Sequence, residues 1–84
     1  MKHWTELAMN LSPTDIKLIH YIRNYAHKDG DIVKIDIDEF ISLYGLKIQQ
    51  SYFFARKSLL QRGVIWATPE LKRTNKYYYD KSIC

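Results

Sequence analysis

The sequence has 84 residues, of which 14% are aromatic and 26% charged, and a formal net charge of +4. This length predicts one small domain, with a core of seven Tyr, three Phe and two Trp that needs neither disulfides nor metal. The only cysteine, Cys84, excludes an internal disulfide, and no apolar run approaches the ~18–20 residues that span a bilayer. We therefore expect a cytoplasmic protein without a membrane segment.

The charges are distributed unevenly along the chain. Residues 1–44 contain five Lys or Arg against seven Asp or Glu, whereas residues 45–84 contain eight against two. An excess of cations in one half is expected where that half faces a polyanion such as DNA.

The first eleven residues carry apolar side chains at helical spacing, namely Trp4, Leu7, Ala8 and Leu11. This pattern predicts a short helical arm (residues 1–11). Because two turns are marginal alone, the arm must pack either on the domain's own core or on a second copy.

A strong helix start follows the arm. Ser12 can cap the helix, Pro13 suits its first position, and Asp15 can close a capping box. The apolar pattern continues this first helix to about His27, and the sequence Asp-Gly-Asp at 29–31 predicts a turn.

The middle of the chain predicts a strand followed by a second helix. Residues 32–35 are short and β-branched, as in strands. Asp36 is placed to cap the next helix and Glu39 to complete its capping box, and that helix should run over residues 37–44 and stop at Gly45.

Residues 47–62 predict the amphipathic helix around which the chain is organised. Its apolar side consists of Ile48, Tyr52, Ala55 and Leu59, with Phe53 and Leu60 beside them. The opposite side is polar and basic. No Ser, Thr, Asp or Asn stands at the expected cap, so the first turn of this helix is weakly defined.

The C-terminal third predicts a hairpin. Residues 64–68 and 76–79 read as strands, and residues 69–75 read as a polar, basic loop between them. We expect residues 80–84 to form a frayed tail.

Residues 36–66, DIDEFISLYGLKIQQSYFFARKSLLQRGVIW, resemble the helix-turn-helix and first wing strand of bacterial winged-helix proteins, including the ending from Leu59 to Gly63. The order of IKLIHYI, this segment and NKYYYDKSI is also similar to the replication initiators of Gram-positive plasmids and related phages. The resemblance implies an α+β winged helix-turn-helix in a single domain. A three-helix core and a small antiparallel sheet forming a wing would occupy residues 12–79.

The resemblance further implies that the third core helix enters the major groove of double-stranded DNA and that the hairpin tip contacts phosphates. Amides, hydroxyls and cations suit such contacts. The candidate residues on the helix are Lys47, Gln49, Gln50, Ser51, Phe54, Lys57, Ser58 and Gln61, and those on the wing are Lys72, Arg73, Asn75 and Lys76. The expected function is DNA binding as a homodimer, in transcription regulation or replication initiation of a mobile element.

Two other functions fit parts of the sequence. A protein-interaction winged helix would dock through Phe54, Trp66 and the tyrosines of the last strand. A small nuclease would use acidic residues such as Asp36 and Asp38 to hold a metal ion.

The chemistry of the remaining residues favours a binding protein over an enzyme. The histidines and Cys84 show no zinc-ligand spacing, and the chain has no phosphate-binding glycine loop. We expect no catalytic activity, no cofactor and no metal.

Overall fold

The computed structural model describes residues 11–84, which form an α+β domain with four helices and one four-stranded antiparallel sheet. The predicted arm lies outside these residues except for Leu11, which packs against the core. In chain order the elements are α1 (Pro13–Asn24), β1 (His27–Asp29), β2 (Ile32–Lys34), α2 (Ile37–Tyr44), α3 (Gln49–Gln61), β3 (Ile65–Trp66), α4 (Pro69–Arg73) and β4 (Lys76–Tyr79).

The predicted start of α1 is confirmed. The Ser12 hydroxyl accepts a hydrogen bond from the Asp15 backbone N–H, and the Asp15 carboxylate accepts one from the Ser12 N–H, both at 3.2 Å. The predicted end at His27 is wrong, because α1 stops at Asn24 and His27 begins β1.

The sheet has the strand order β1-β2-β4-β3, so the strand before α2 pairs with the last strand of the chain. Val33 lies opposite Tyr77 and Ile65 opposite Tyr79 on the face that packs on the helices. Gly30, at a φ of 62°, turns the chain between β1 and β2, where the sequence predicts a turn.

Helix α2 has the predicted bounds but only half of the predicted capping box. The Asp36 side chain accepts from the Glu39 N–H at 3.1 Å. The Asp36 N–H, however, donates to the Tyr21 hydroxyl at 3.3 Å, and that hydroxyl donates to Glu39 at 2.8 Å. The buried tyrosine of α1 therefore replaces the reciprocal bond of the box.

Helix α3 packs Tyr52, Ala55 and Leu59 into the core, as its periodicity predicts. It begins two residues later than expected, because Ile48 has an extended backbone and occupies the N-cap position. Ile48 is 56% exposed and Phe53 is 40% exposed, so neither belongs to the buried stripe.

The hairpin after α3 differs from the prediction at its tip. Only Ile65 and Trp66 form β3, and the segment predicted as a loop contains the one-turn helix α4. Thr68 caps α4 by accepting from the Leu71 N–H at 3.4 Å, and Pro69 occupies the first helical turn.

The expectation of a frayed tail at residues 80–84 is wrong. Ile83 is 4% exposed and Cys84 is 8% exposed, and both belong to the core cluster. The Asp80 N–H donates to the Val64 carbonyl at 2.9 Å, and the Arg23 guanidinium donates to the Ile83 carbonyl. These bonds hold the tail beside α1 and β3.

Among residues 11–84, none of the helices combines the length and the apolar character that crossing a bilayer requires.

Candidate functional site

The solvent-facing side of α3 carries four of the predicted contact residues. Gln50, Phe54, Lys57 and Gln61 are all exposed, and Phe54 has the largest exposed fraction of the large apolar side chains described, at 64%. At 100° per residue these four fall within one quarter of the helix surface. They form one continuous strip along α3.

The two predicted serines lie on a different side of α3. The Ser58 hydroxyl donates to the Asp15 carboxylate of α1 at 2.8 Å, and Asp15 is only 5% exposed. Ser51 is half-buried on the same flank of the helix. Ser58 therefore links α3 to α1 and lies beside the exposed strip rather than in it, and a contact of Ser58 with DNA stays a prediction.

The opposite flank of α3 adds two residues from outside the predicted contact set, namely Phe53 and Arg56. Phe53 is exposed, and the Arg56 guanidinium lies over its ring at 5.2 Å from the centroid. Arg56 also donates to the Tyr77 hydroxyl at 3.4 Å. The helical spacing could have indicated the exposure of Phe53, because at 100° per residue Phe53 lies between the buried stripe and Lys57.

The first turn of α3 meets the sheet at a groove of about 310 Å³. Gln49 lines this groove together with Lys34 of β2 and Asn75, and Asn75 accepts the Ile35 N–H through its carbonyl at 2.9 Å. Asp38 also lines the groove and accepts from the Gln49 side-chain amide at 3.5 Å. The structure thus brings one predicted helix residue beside one predicted wing residue, next to a carboxylate.

The other predicted wing residues lie on α4 and β4. Lys72 and Arg73 are exposed in the last turn of α4, where cations are favoured by the helix dipole. Lys76 is half-buried at the start of β4, and Asn75 before it has a φ of 55°. Lys47 is exposed in the loop before α3.

The charge of this surface comes from its exposed side chains rather than from the interior. Burial raises the pKa of the Tyr52 hydroxyl far above its ordinary value, and burial together with the bond to Glu39 does the same for the pKa of Tyr21. Both phenols are therefore neutral up to a higher pH than an ordinary tyrosine, and neither adds charge to this surface.

The acidic residues near α2 have local structural partners. Asp36 accepts from the Glu39 N–H, and Glu39 accepts from Tyr21. Within residues 11–84, no group of three or more His, Cys, Asp or Glu side chains is placed to hold a metal ion.

Comparisons with known protein families, with curated proteins and with solved structures give no match for this chain.

Proposed function

We propose that this chain is a winged helix-turn-helix domain that binds double-stranded DNA through α3 and through the basic turn α4. The observation that carries the proposal is the exposed strip of Gln50, Phe54, Lys57 and Gln61, on a helix whose first turn lies beside the β3–β4 hairpin. An amphipathic helix that is fixed on one side by a core can present its other side to the major groove.

The order of the elements supports the winged-helix part of the proposal. A strand precedes α2 and α3, two strands follow them, and the first of these three strands pairs with the last. Two features depart from the simplest form of that fold, namely the additional edge strand β1 and the helix α4 within the hairpin.

In this proposal the roles of the residues follow from their chemistry. Gln50 and Gln61 carry amides that pair with adenine edges, and Phe54 packs against a thymine methyl group. Lys57, Lys72 and Arg73 neutralise phosphates and so contribute affinity without sequence preference. The domain acts as a homodimer, in transcription regulation or replication initiation of a mobile element.

A titration of duplex DNA at several salt concentrations tests the proposal. Replacing Lys72 and Arg73 together by Ala should weaken binding to the same extent on all sequences and reduce the salt slope by about 2, since each phosphate contact contributes roughly 0.9. Lys81→Ala is the matched control, because Lys81 is exposed and already paired with Asp31 at 2.6 Å. A failure to bind mixed-sequence duplex DNA at low salt would contradict the proposal.

A protein-docking function is the second candidate, and the exposure of Phe53 and Phe54 favours it. Two neighbouring exposed phenylalanines are more typical of a protein interface than of a DNA-contacting helix. Salt separates the two functions, because apolar docking responds little to ionic strength whereas DNA binding weakens steeply.

A further inference from the structure

The sheet has a second face, which side-chain alternation turns away from the helices. Val33, Ile65 and Tyr77 point into the core and are at most 1% exposed. Their neighbours of opposite parity form the outer sheet face, which we define as His27, Asp29, Ile32, Lys34, Trp66, Lys76 and Tyr78.

One end of the outer sheet face is an aromatic pair. Trp66 and Tyr78 are direct cross-strand neighbours, and their rings are stacked with centroids 6.1 Å apart and an interplanar angle of 23°. Trp66 remains 49% exposed. An exposed indole held flat by a neighbouring ring is a surface on which an unpaired base can stack.

The adjacent part of the outer sheet face carries two lysines. Lys34 and Lys76 lie directly opposite each other, and neither makes an ion pair among residues 11–84. Like charges in this position repel each other. Both lysines line a groove of about 360 Å³ together with the apolar side chains of Ile32 and Leu71 and with His27 and Asp29 of β1. An anion bound between the lysines would relieve the repulsion.

The two features are spaced for one ligand. Lys76 and Tyr78 are two residues apart on β4, which separates them by about 7 Å. A phosphate between the lysines therefore places the attached base near the aromatic pair. Asp29, on the edge strand β1, is the one carboxylate of the outer sheet face, and it lines the same groove as the two lysines from the β1 side.

We propose that the outer sheet face binds single-stranded DNA, with a phosphate between Lys34 and Lys76 and a base stacked on Trp66. Duplex DNA does not fit, because its bases are already stacked on each other and offer no free face. The choice of DNA over RNA rests on the proposed function. Lys34 connects the two surfaces, because it lines both this groove and the groove beside Gln49 and Asn75 at the start of α3.

Tryptophan fluorescence tests the stacking. In a Trp4→Phe background Trp66 is the only tryptophan, and a short oligothymidylate should quench its emission in a saturable manner at low salt, whereas a duplex should not. Trp66→Ala should weaken oligothymidylate binding, followed by anisotropy of a labelled strand, by roughly 5- to 100-fold, the usual effect of losing one base–aromatic stack. Trp66→Phe keeps a ring and should retain most of the affinity, and neither variant should change duplex affinity.

The lysine pair has its own readout. Replacing Lys34 and Lys76 together by Gln should lower the salt slope of single-strand binding by about 0.7, since the two lysines share one phosphate and each phosphate contact contributes roughly 0.7 on single strands. Lys81→Gln is the control and should leave the slope unchanged.

Absence of quenching, or an unchanged affinity in Trp66→Ala, would overturn the proposal. So would self-association that Trp66→Ala abolishes without any oligonucleotide binding, because it would assign this face to a second copy. Tighter binding of oligouridylate would overturn the choice of DNA.

Discussion

Ser58 is held by a nearly buried carboxylate, and this contact determines which side of α3 remains open. Asp15 accepts the Ser58 hydroxyl at 2.8 Å while also accepting the Ser12 N–H at 3.2 Å. One carboxylate thus closes the start of α1 and fixes the rotation of α3 against it. The open face therefore turns toward Phe53 and Phe54 and away from the two serines.

We expect Ser58→Ala to lower the free energy of unfolding by about 1.5–3 kcal/mol, the range for a hydrogen bond to a charged group. Ser51→Ala is the matched control and should stay within about 0.5 kcal/mol, since Ser51 lies on the same flank without that bond. Both changes gain the same helix propensity, so the difference between them in chemical denaturation measures the Asp15 contact. Equal stability of the two variants, with duplex affinity lost only in Ser58→Ala, would instead make Ser58 a DNA contact.

The sequence predicts the local part of this arrangement and not the tertiary part. Ser12 and Asp15 are three residues apart, so the capping box is visible in the sequence. Ser58 lies 43 residues from Asp15, and Tyr21 lies 18 residues from Glu39. Such bonds depend on how the helices pack, and no periodicity encodes that.

Helix α3 begins at an N-cap residue whose side chain makes no hydrogen bond to the first turn. Ile48 already has the extended backbone of an N-cap, at a φ of −141° and a ψ of 149°, but its side chain makes no capping hydrogen bond. An oxygen-bearing side chain at this position would satisfy one of the free N–H groups of the first turn. Because Ile48 is 56% exposed, replacing it removes little buried apolar surface.

We therefore expect Ile48→Ser to stabilise the protein by about 1 kcal/mol, which for a domain of this size raises the melting temperature by roughly 4–8 °C. Lys47→Ser is the control, because it places the same side chain one position too early. Differential scanning calorimetry of both variants provides the comparison. A lower melting temperature in Ile48→Ser would mean that the isoleucine side chain stabilises the turn more than a cap does.

The elements missed from the sequence have distinct physical causes. β1 consists of three exposed residues and so shows no alternation of apolar and polar positions. α4 does carry a start signal, since Thr68 and Pro69 repeat the pattern of Ser12 and Pro13. Leu71 is the only apolar residue among residues 70–76, and one apolar residue is too little to indicate a helix by periodicity.

The last described residues of the chain pack against the core of the domain. The tail bonds to the Val64 carbonyl through Asp80 and buries Ile83 in the core cluster. Cys84 is covered as well, and burial raises the pKa of its thiol to about 11. The reactivity of the Cys84 thiol therefore reports whether the tail is packed on the core. The sequence does not predict this packing, because residues 80–82 are polar.

In the folded protein we expect Cys84 to react with a disulfide reagent at pH 8 roughly 10- to 100-fold more slowly than in denaturant, because the smaller thiolate fraction is partly offset by the greater nucleophilicity of a thiolate of higher pKa. The pKa rises from 9.0 to about 11, and only the thiolate attacks. For the same reason the native rate should keep rising about tenfold per pH unit beyond pH 9 and level off only near pH 11.

Ile83→Ala should speed the reaction of Cys84 by loosening the tail. Lys81→Ala removes only the exposed pair with Asp31, so it should change the rate by less than about fivefold. A native rate equal to that in denaturant would show that the tail is undocked in solution and that the contacts of Arg23 and Asp80 do not hold it.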